Sequence, residues 1–180
     1  MYRVEEILGT VLRRLQKEEL LCRGIRLGTV LLNDIVIDLN SVERRFRDRC
    51  LKKLFRLLVA ALYPRGKIPI LREDKERWAV IELVNISDLV TEGDIVAQSI
   101  TRAVLNRALY KGLILSRETV DELKQLSHIE KGCHGDRIVL KPTGKVLERI
   151  ARLCIEVGVC SRGENDRIVL DRRIIEWYAE

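Results

Sequence analysis

The chain has 180 residues, of which 47% are hydrophobic and 33% charged, and a net charge of +6. That length and apolar content supply a packed core for one domain or two small ones and exclude a disordered chain; no run approaches the roughly 18 apolar residues of a membrane span. Met1 to Cys22 is punctuated by Glu5, Glu6, Arg13 and Arg14 in place of a charged start and an apolar signal core, so a cytoplasmic location is expected.

The charge is uneven. Residues 1 to 70 hold 15 Lys/Arg against 8 Asp/Glu, and residues 71 to 180 hold 18 against 19, so the whole basic excess lies in the first part of the chain. Arginine outnumbers lysine and Gln and Asn are scarce, the composition of a heat-adapted proteome, in which intracellular disulfides are not excluded. The five cysteines, Cys22, Cys50, Cys133, Cys154 and Cys160, lack the C-x2-C doublets of zinc fingers and are expected to act mostly as small buried apolar residues.

Residues 2 to 22 place Val4, Ile7, Leu8, Val11, Leu12 and Leu15 at helical spacing, which predicts an amphipathic helix. The stretch "GIRLGTVLLNDIVIDL" from Gly24 is rich in β-branched residues and predicts a hairpin, with Asn33-Asp34 as its turn signal. Asn40 or Ser41 then caps a long helix that carries Val42, Phe46, Cys50, Leu54, Leu58 and Leu62 and stops at Pro64. The segment "YPRGKIPILREDKER" holds two of the three prolines and a mixed charge run, so a linker is expected over residues 64 to 76. It would separate a helix–hairpin–helix module, residues 1 to 63, from a second domain, residues 77 to 180.

In the second domain "WAVIELVNI" predicts a strand, and residues 91 to 110 two helical patterns with Thr101 as a cap between them. Ser116 or Thr119 begins the next helix, Thr119 and Glu122 have the spacing of a capping box, and Lys131-Gly132 is its expected stop. "DRIVL" predicts a strand, and Pro142-Thr143 starts a helix whose buried face carries Val146, Leu147, Ile150, Leu153, Cys154 and Val157. The terminal "DRRIIEWYAE" is either a core-docking helix or a partner-binding one. A faint echo runs through the chain: "CRG" precedes "NDIVIDL", "CHG" precedes "DRIVLKP" and "CSRG" precedes "NDRIVLD", as if one small unit were reused.

Catalytic and cofactor signatures are missing. There is no phosphate-cradling G-x-x-x-x-G-K-[ST] loop and no G-x-G-x-x-G turn. The two histidines, His128 and His134, flank Cys133 without the spacing of a metal site, and adjacency of Cys133 and His134 is not the geometry of an activated thiol. A non-enzymatic protein without metal or cofactor is expected.

The basic stripe points elsewhere. On the helix predicted from Ser41 to Tyr63, Arg45, Arg49, Lys52 and Arg56 are four, three and four residues apart, with Arg44 and Lys53 alongside and only Glu43 and Asp48 to dilute them. Such a stripe suits the phosphates of a nucleic acid, an acidic protein or domain surface, or plain solvation.

"LSRETVDELKQLSHIEKG" resembles the third helix of winged-helix proteins, and "DRIVLKPTGKVLERI" resembles the wing strand and closing helix that follow it; the resemblance covers about residues 92 to 157. It implies an α+β, mainly helical fold and DNA binding, with Arg117 and Lys124 on the groove helix and Lys131, Arg137 and Lys141 on the wing. Glu118, Asp121 and Glu122 on that same helix oppose a polyanion, so the helix makes a poor base reader. The expected function is therefore DNA binding by a winged-helix regulator or chromosome-associated factor, with the long helices at residues 2 to 22 and 41 to 63 as the surface for a dimer. The alternative is a non-catalytic subunit of a larger assembly that binds a protein partner through residues 171 to 180.

Overall fold

The computed structural model of the protein describes residues 3–89 and 94–173. The chain is α+β and divides into two compact units, Met1–Asp88 with Gly112–Arg117, and Leu89–Lys111 with Glu118–Glu180.

In the first unit, helix α1 spans Val4–Glu18 and buries Leu8, Val11, Leu12 and Leu15, one apolar face at the three- and four-residue spacing of a helix. Strands β1 (Arg26–Leu31) and β2 (Asp34–Asp38) form the predicted hairpin. Its two-residue turn is Leu32-Asn33, one position earlier than expected, and Leu32 adopts a φ of 43°. Helix α2 spans Arg47–Leu62, starting later than its apolar pattern suggested, because Arg44–Phe46 wind as a 3-10 turn ahead of it. Strands β3 (Lys67–Lys75) and β4 (Trp78–Asn85) complete an antiparallel sheet of order β1-β2-β4-β3. Ile35 and Ile37 of β2 and Ala79, Ile81 and Leu83 of β4 share one core with the buried faces of α1 and α2.

The linker expected at residues 64 to 76 is thus corrected to a strand. Pro64 sits in a 3-10 turn, Tyr63–Arg65, and Pro69 lies in β3, an edge strand, where a missing N–H is tolerated. Leu71 of that strand donates its N–H to the Leu115 carbonyl at 2.8 Å, which brings residues 112 to 117 into the first unit. The chain first passes from one unit to the other near a single helical turn, α3 (Ile86–Leu89), and crosses again on either side of residues 112 to 117.

In the second unit, α4 spans Ile95–Tyr110 as one continuous helix. Asp94 caps it by accepting from the Val96 N–H at 2.9 Å. Thr101 is no cap: it is buried within the helix, where its hydroxyl donates to the Ala97 carbonyl. Helix α5 (Arg117–Leu123) continues as a 3-10 turn to His128, so Thr119 lies inside the helix and not at its start. Lys131-Gly132, the expected stop, belongs to strand β5 (Glu130–His134), which pairs with β6 (Arg137–Lys141). Helix α6 (Gly144–Glu156) and strands β7 (Ser161–Arg162) and β8 (Ile168–Asp171) follow, and the sheet order is β5-β6-β8-β7. The hairpin cast as a wing is joined through β6 to β8. Of the expected C-terminal helix, residues 174 to 180 lie outside the described residues.

Both units contain one layout of helix, hairpin, helix, hairpin, which in the second unit is preceded by the extra helix α4, and in both sheets the second strands of the two hairpins pair at the centre. Ile35, Val36 and Ile37 stand opposite Ile81, Val80 and Ala79; Ile138, Val139 and Leu140 stand opposite Leu170, Val169 and Ile168. In each triplet the outer two residues are buried and the middle valine is half-buried. The faint echo in the sequence marks three of these four central strands. "NDIVIDL" contains β2, "DRIVLKP" contains β6 and "NDRIVLD" contains β8.

Four of the five cysteines are buried, as expected, but they are paired. Cys22 is bonded to Cys50 and Cys154 to Cys160, while Cys133 is free and exposed. Among the described residues no group of three or more His, Cys, Asp and Glu side chains is placed to hold a metal ion.

Candidate nucleic-acid interface

Helix α2 turns Leu51, Leu54, Phe55 and Leu58 toward the first sheet, which leaves its opposite side to water. Arg45, Asp48, Arg49, Lys52, Lys53 and Arg56 line one shallow depression there of about 410 Å³. The stripe expected from spacing exists, but it is partly engaged. Arg45 lies 2.9 Å from Glu43 and stacks its guanidinium 4.6 Å above the Phe46 ring. Glu19, just past the end of α1, takes the ammonium of Lys53 and stands 3.8 Å from Arg49. Arg44 lies 3.8 Å from Glu76.

Lys52 and Arg56 have no carboxylate within ion-pair distance among the described residues. The hydrogen bond from Lys53, followed by the charges of Lys53 and Arg49, holds the Glu19 carboxyl below its ordinary range against a smaller opposing effect of desolvation, so it stays ionised at neutral pH. Five cations thus face Glu19, Glu43 and Asp48, and the depression keeps an excess of positive charge. The Arg45–Glu43 pair is solvent-exposed and contributes little, so a polyanion can displace it at small cost, whereas the Glu19 side chain is only 16% exposed.

The candidates in the later part of the chain fare differently. Arg117 lies 3.4 Å from Glu82, Lys124 3.9 Å from Asp121 and Lys141 3.6 Å from Glu130, its cross-strand neighbour. Lys131 is turned inward. Its side chain is only 14% exposed, its ammonium stands 2.7 Å from Asp94, and it donates to the Ile129 carbonyl at 3.0 Å. Burial raises the Asp94 pKa, but the hydrogen bonds from Lys131 and the Val96 N–H outweigh it and leave the carboxyl below its ordinary value. This lysine anchors the start of α4 to β5 and is unavailable to phosphate. Arg137 is exposed at the start of β6, in a depression that also contains Asp136, Arg162, Asp171 and Arg173.

The outward side of α5 is acidic, as its sequence implied. Glu118, Asp121 and Glu122 line a concavity of about 750 Å³ with Gln125, His128 and residues 143 to 147. Glu122 is held by Arg149, whose Nε lies 3.1 Å from it, and this hydrogen bond raises the pKa of the guanidinium. The sequence reading passed over the outward side of α6, where Lys145, Arg149 and Arg152 follow one another at helical spacing. The same i, i+4, i+7 rule that found the stripe on α2 would have found them.

No family model matches the chain, and no curated protein or solved structure matches it. Among the described residues no helix is long and apolar enough to cross a membrane.

Proposed function

We propose that this protein binds nucleic acid by its phosphate backbone, through the outward side of α2. The observation that carries this reading is the depression lined by Arg45, Asp48, Arg49, Lys52, Lys53 and Arg56, in which Lys52 and Arg56 have no ion-pair partner among the described residues. The charge budget agrees. The first unit holds 19 Lys/Arg against 13 Asp/Glu, whereas the second holds 14 of each, so the whole net charge of +6 falls on the unit that carries the depression. Cations spaced along a helix contact successive phosphates and release their counterions, a contribution that is independent of base sequence and weakens steeply with salt.

For the second unit the winged-helix reading assigns the β5–β6 hairpin, with Arg137, to the backbone and keeps the acidic α5 out of the groove. The role that fits is a non-catalytic regulator or chromosome-associated factor acting in the cytoplasm of a heat-adapted cell. Fluorescence anisotropy with a random-sequence duplex between 50 and 200 mM salt tests it. The expected result is tight binding at low salt with log K falling by several units per unit of log salt. Absence of binding at low salt contradicts the reading.

One observation favours the second reading, a subunit that docks on a protein. Leu31 and Leu32, at the tip of the β1–β2 hairpin, are 63% and 99% exposed. Sizing chromatography coupled to light scattering, with and without duplex, separates the two: self-association that persists without nucleic acid and vanishes in Leu32→Ser supports protein docking.

A further inference from the structure

The shared layout of the two units puts α2 and α6 in the same place, each following the first hairpin of its sheet and leading into the second. Aligned in this way, three of the four buried residues of α6 coincide with buried residues of α2: Cys50, Leu51 and Leu54 correspond to Ile150, Ala151 and Cys154, each one hundred positions further along, while Leu147 falls opposite Arg47. Their outward residues coincide in charge as well. Arg45, Asp48, Arg49 and Lys52 correspond to Lys145, Glu148, Arg149 and Arg152, the same order of signs at the same spacing.

The ion pairs follow the same plan. Arg49 faces Glu19 at the end of α1, and Arg149 faces Glu122 near the end of α5, the helix that precedes the first hairpin of the second unit. A depression runs along the outward side of α6 as it does on α2, about 570 Å³ in volume and lined by Lys145, Glu148, Arg149 and Arg152 with Pro142 and Gly144. Lys53 and Arg56 have no cationic counterparts, since Leu153 and Glu156 stand there, but Arg162 of β7 reaches the same face and lies 3.1 Å from Glu148. The depression itself is lined by three cations, Lys145, Arg149 and Arg152, against Glu148, which lies 3.9 Å from Arg152, and keeps a local positive excess; Glu118, Asp121 and Glu122 line the neighbouring concavity with Lys145. Lys145 has no ion-pair partner among the described residues and stands in the first turn of α6, where the helix dipole adds to its positive potential.

We infer that the outward side of α6 is a second contact for nucleic-acid backbone, the counterpart of the one on α2, and that the protein holds its ligand through two like modules. The inference rests on the reading of α2 as a phosphate-contacting helix. Each face engages its own run of phosphates, so each contributes separately to affinity and to salt dependence.

The test compares three full-length variants with the parent protein in duplex binding at several salt concentrations: Lys145→Glu/Arg152→Glu, Lys52→Glu/Arg56→Glu, and the two combined. A milder pair, Lys145→Ser/Arg152→Gln, guards against helix destabilisation by the new carboxylates, and melting temperatures check that each variant is folded. The α6 reversal is expected to weaken binding roughly tenfold or more and to lower the slope of log K against log salt by about 2, with the combined variant weaker than either pair alone. If the α2 variant loses affinity while both α6 variants bind like the parent, the second contact is overturned and the role of α2 stands. If the α6 variants lose affinity and the α2 variant does not, the α6 contact stands and the assignment to α2 fails. If neither pair matters, both readings fall.

Discussion

Glu19 stands 3.8 Å from the Arg49 guanidinium and at the same time takes the Lys53 ammonium, so one carboxylate past the end of α1 restrains two cations of the α2 stripe. Replacing it releases both. Glu19→Gln is expected to strengthen duplex binding and to steepen the salt dependence by about one unit of slope, because an added cation becomes free to neutralise phosphate. Anisotropy titrations of the variant and the parent check this; weaker binding by the variant would mean that Glu19 organises the contact and does not mask it.

Asp94 ties the start of α4 to Lys131 of β5. Asp94→Ala removes the helix cap and leaves a mostly buried ammonium with carbonyl partners only, so a loss of about 1–2 kcal/mol is expected from thermal or urea unfolding. The pH dependence has a definite sign. A carboxyl whose folded pKa lies below its unfolded value adds stability above the unfolded value and loses it as the pH falls through the folded one. The parent should therefore lose this contribution on acidification below the ordinary carboxylate range, and the Asp94→Ala variant should show a shallower decline.

Gly24 packs against the chain just ahead of α2. A Cβ at this position would lie 2.4 Å from the Ser41 carbonyl oxygen, and backbone cannot give way as a side chain does. Gly24→Ala is expected to destabilise by roughly 1–3 kcal/mol. Gly135, in the β5–β6 turn, has a φ of 63° and nothing within 4 Å of the same position, so Gly135→Ala is expected to cost only the backbone strain of about 1 kcal/mol. The ratio of the two losses in denaturant unfolding is the check.

Cys22 and Cys50 close a loop between the end of the first helical segment and the first turn of α2, with a sequence separation of 28. Loop-closure entropy assigns such a bridge about 3–4 kcal/mol, and the double variant Cys22→Ala/Cys50→Ala should lose much of that in unfolding experiments. Mass spectrometry after thiol alkylation under native conditions should label Cys133 alone, since the other four cysteines are bonded.

The apolar faces of α1, α2 and α6 and the strands β2, β4 and β6 are legible in the sequence because helical and alternating periodicity is a local property. What was hidden depends on pairing across the chain. β3 carries Pro69 and a charged end, which locally resemble a linker, and only its place at a sheet edge reconciles them with a strand. β5 runs through Lys131-Gly132, a sequence with helix-stop chemistry, and is held as a strand by β6. The stripe on α2 was legible, but its partial neutralisation was not: Lys53 and Glu19 are 34 residues apart. Lys131 read as a wing cation and proved to be an internal anchor, because nothing local discloses Asp94 beside it. The echo of "NDIVIDL", "DRIVLKP" and "NDRIVLD" was visible as letters, and its meaning needed the two sheets to be seen with one strand order.

The most direct measurement is the salt dependence of duplex binding by the parent protein and by Lys52→Gln/Arg56→Gln, which neutralises two cations of α2 that have no ion-pair partner among the described residues. The expected result is a slope smaller by about 2 in the variant, with an unchanged melting temperature. An identical slope and affinity in the two proteins would contradict a phosphate contact on α2.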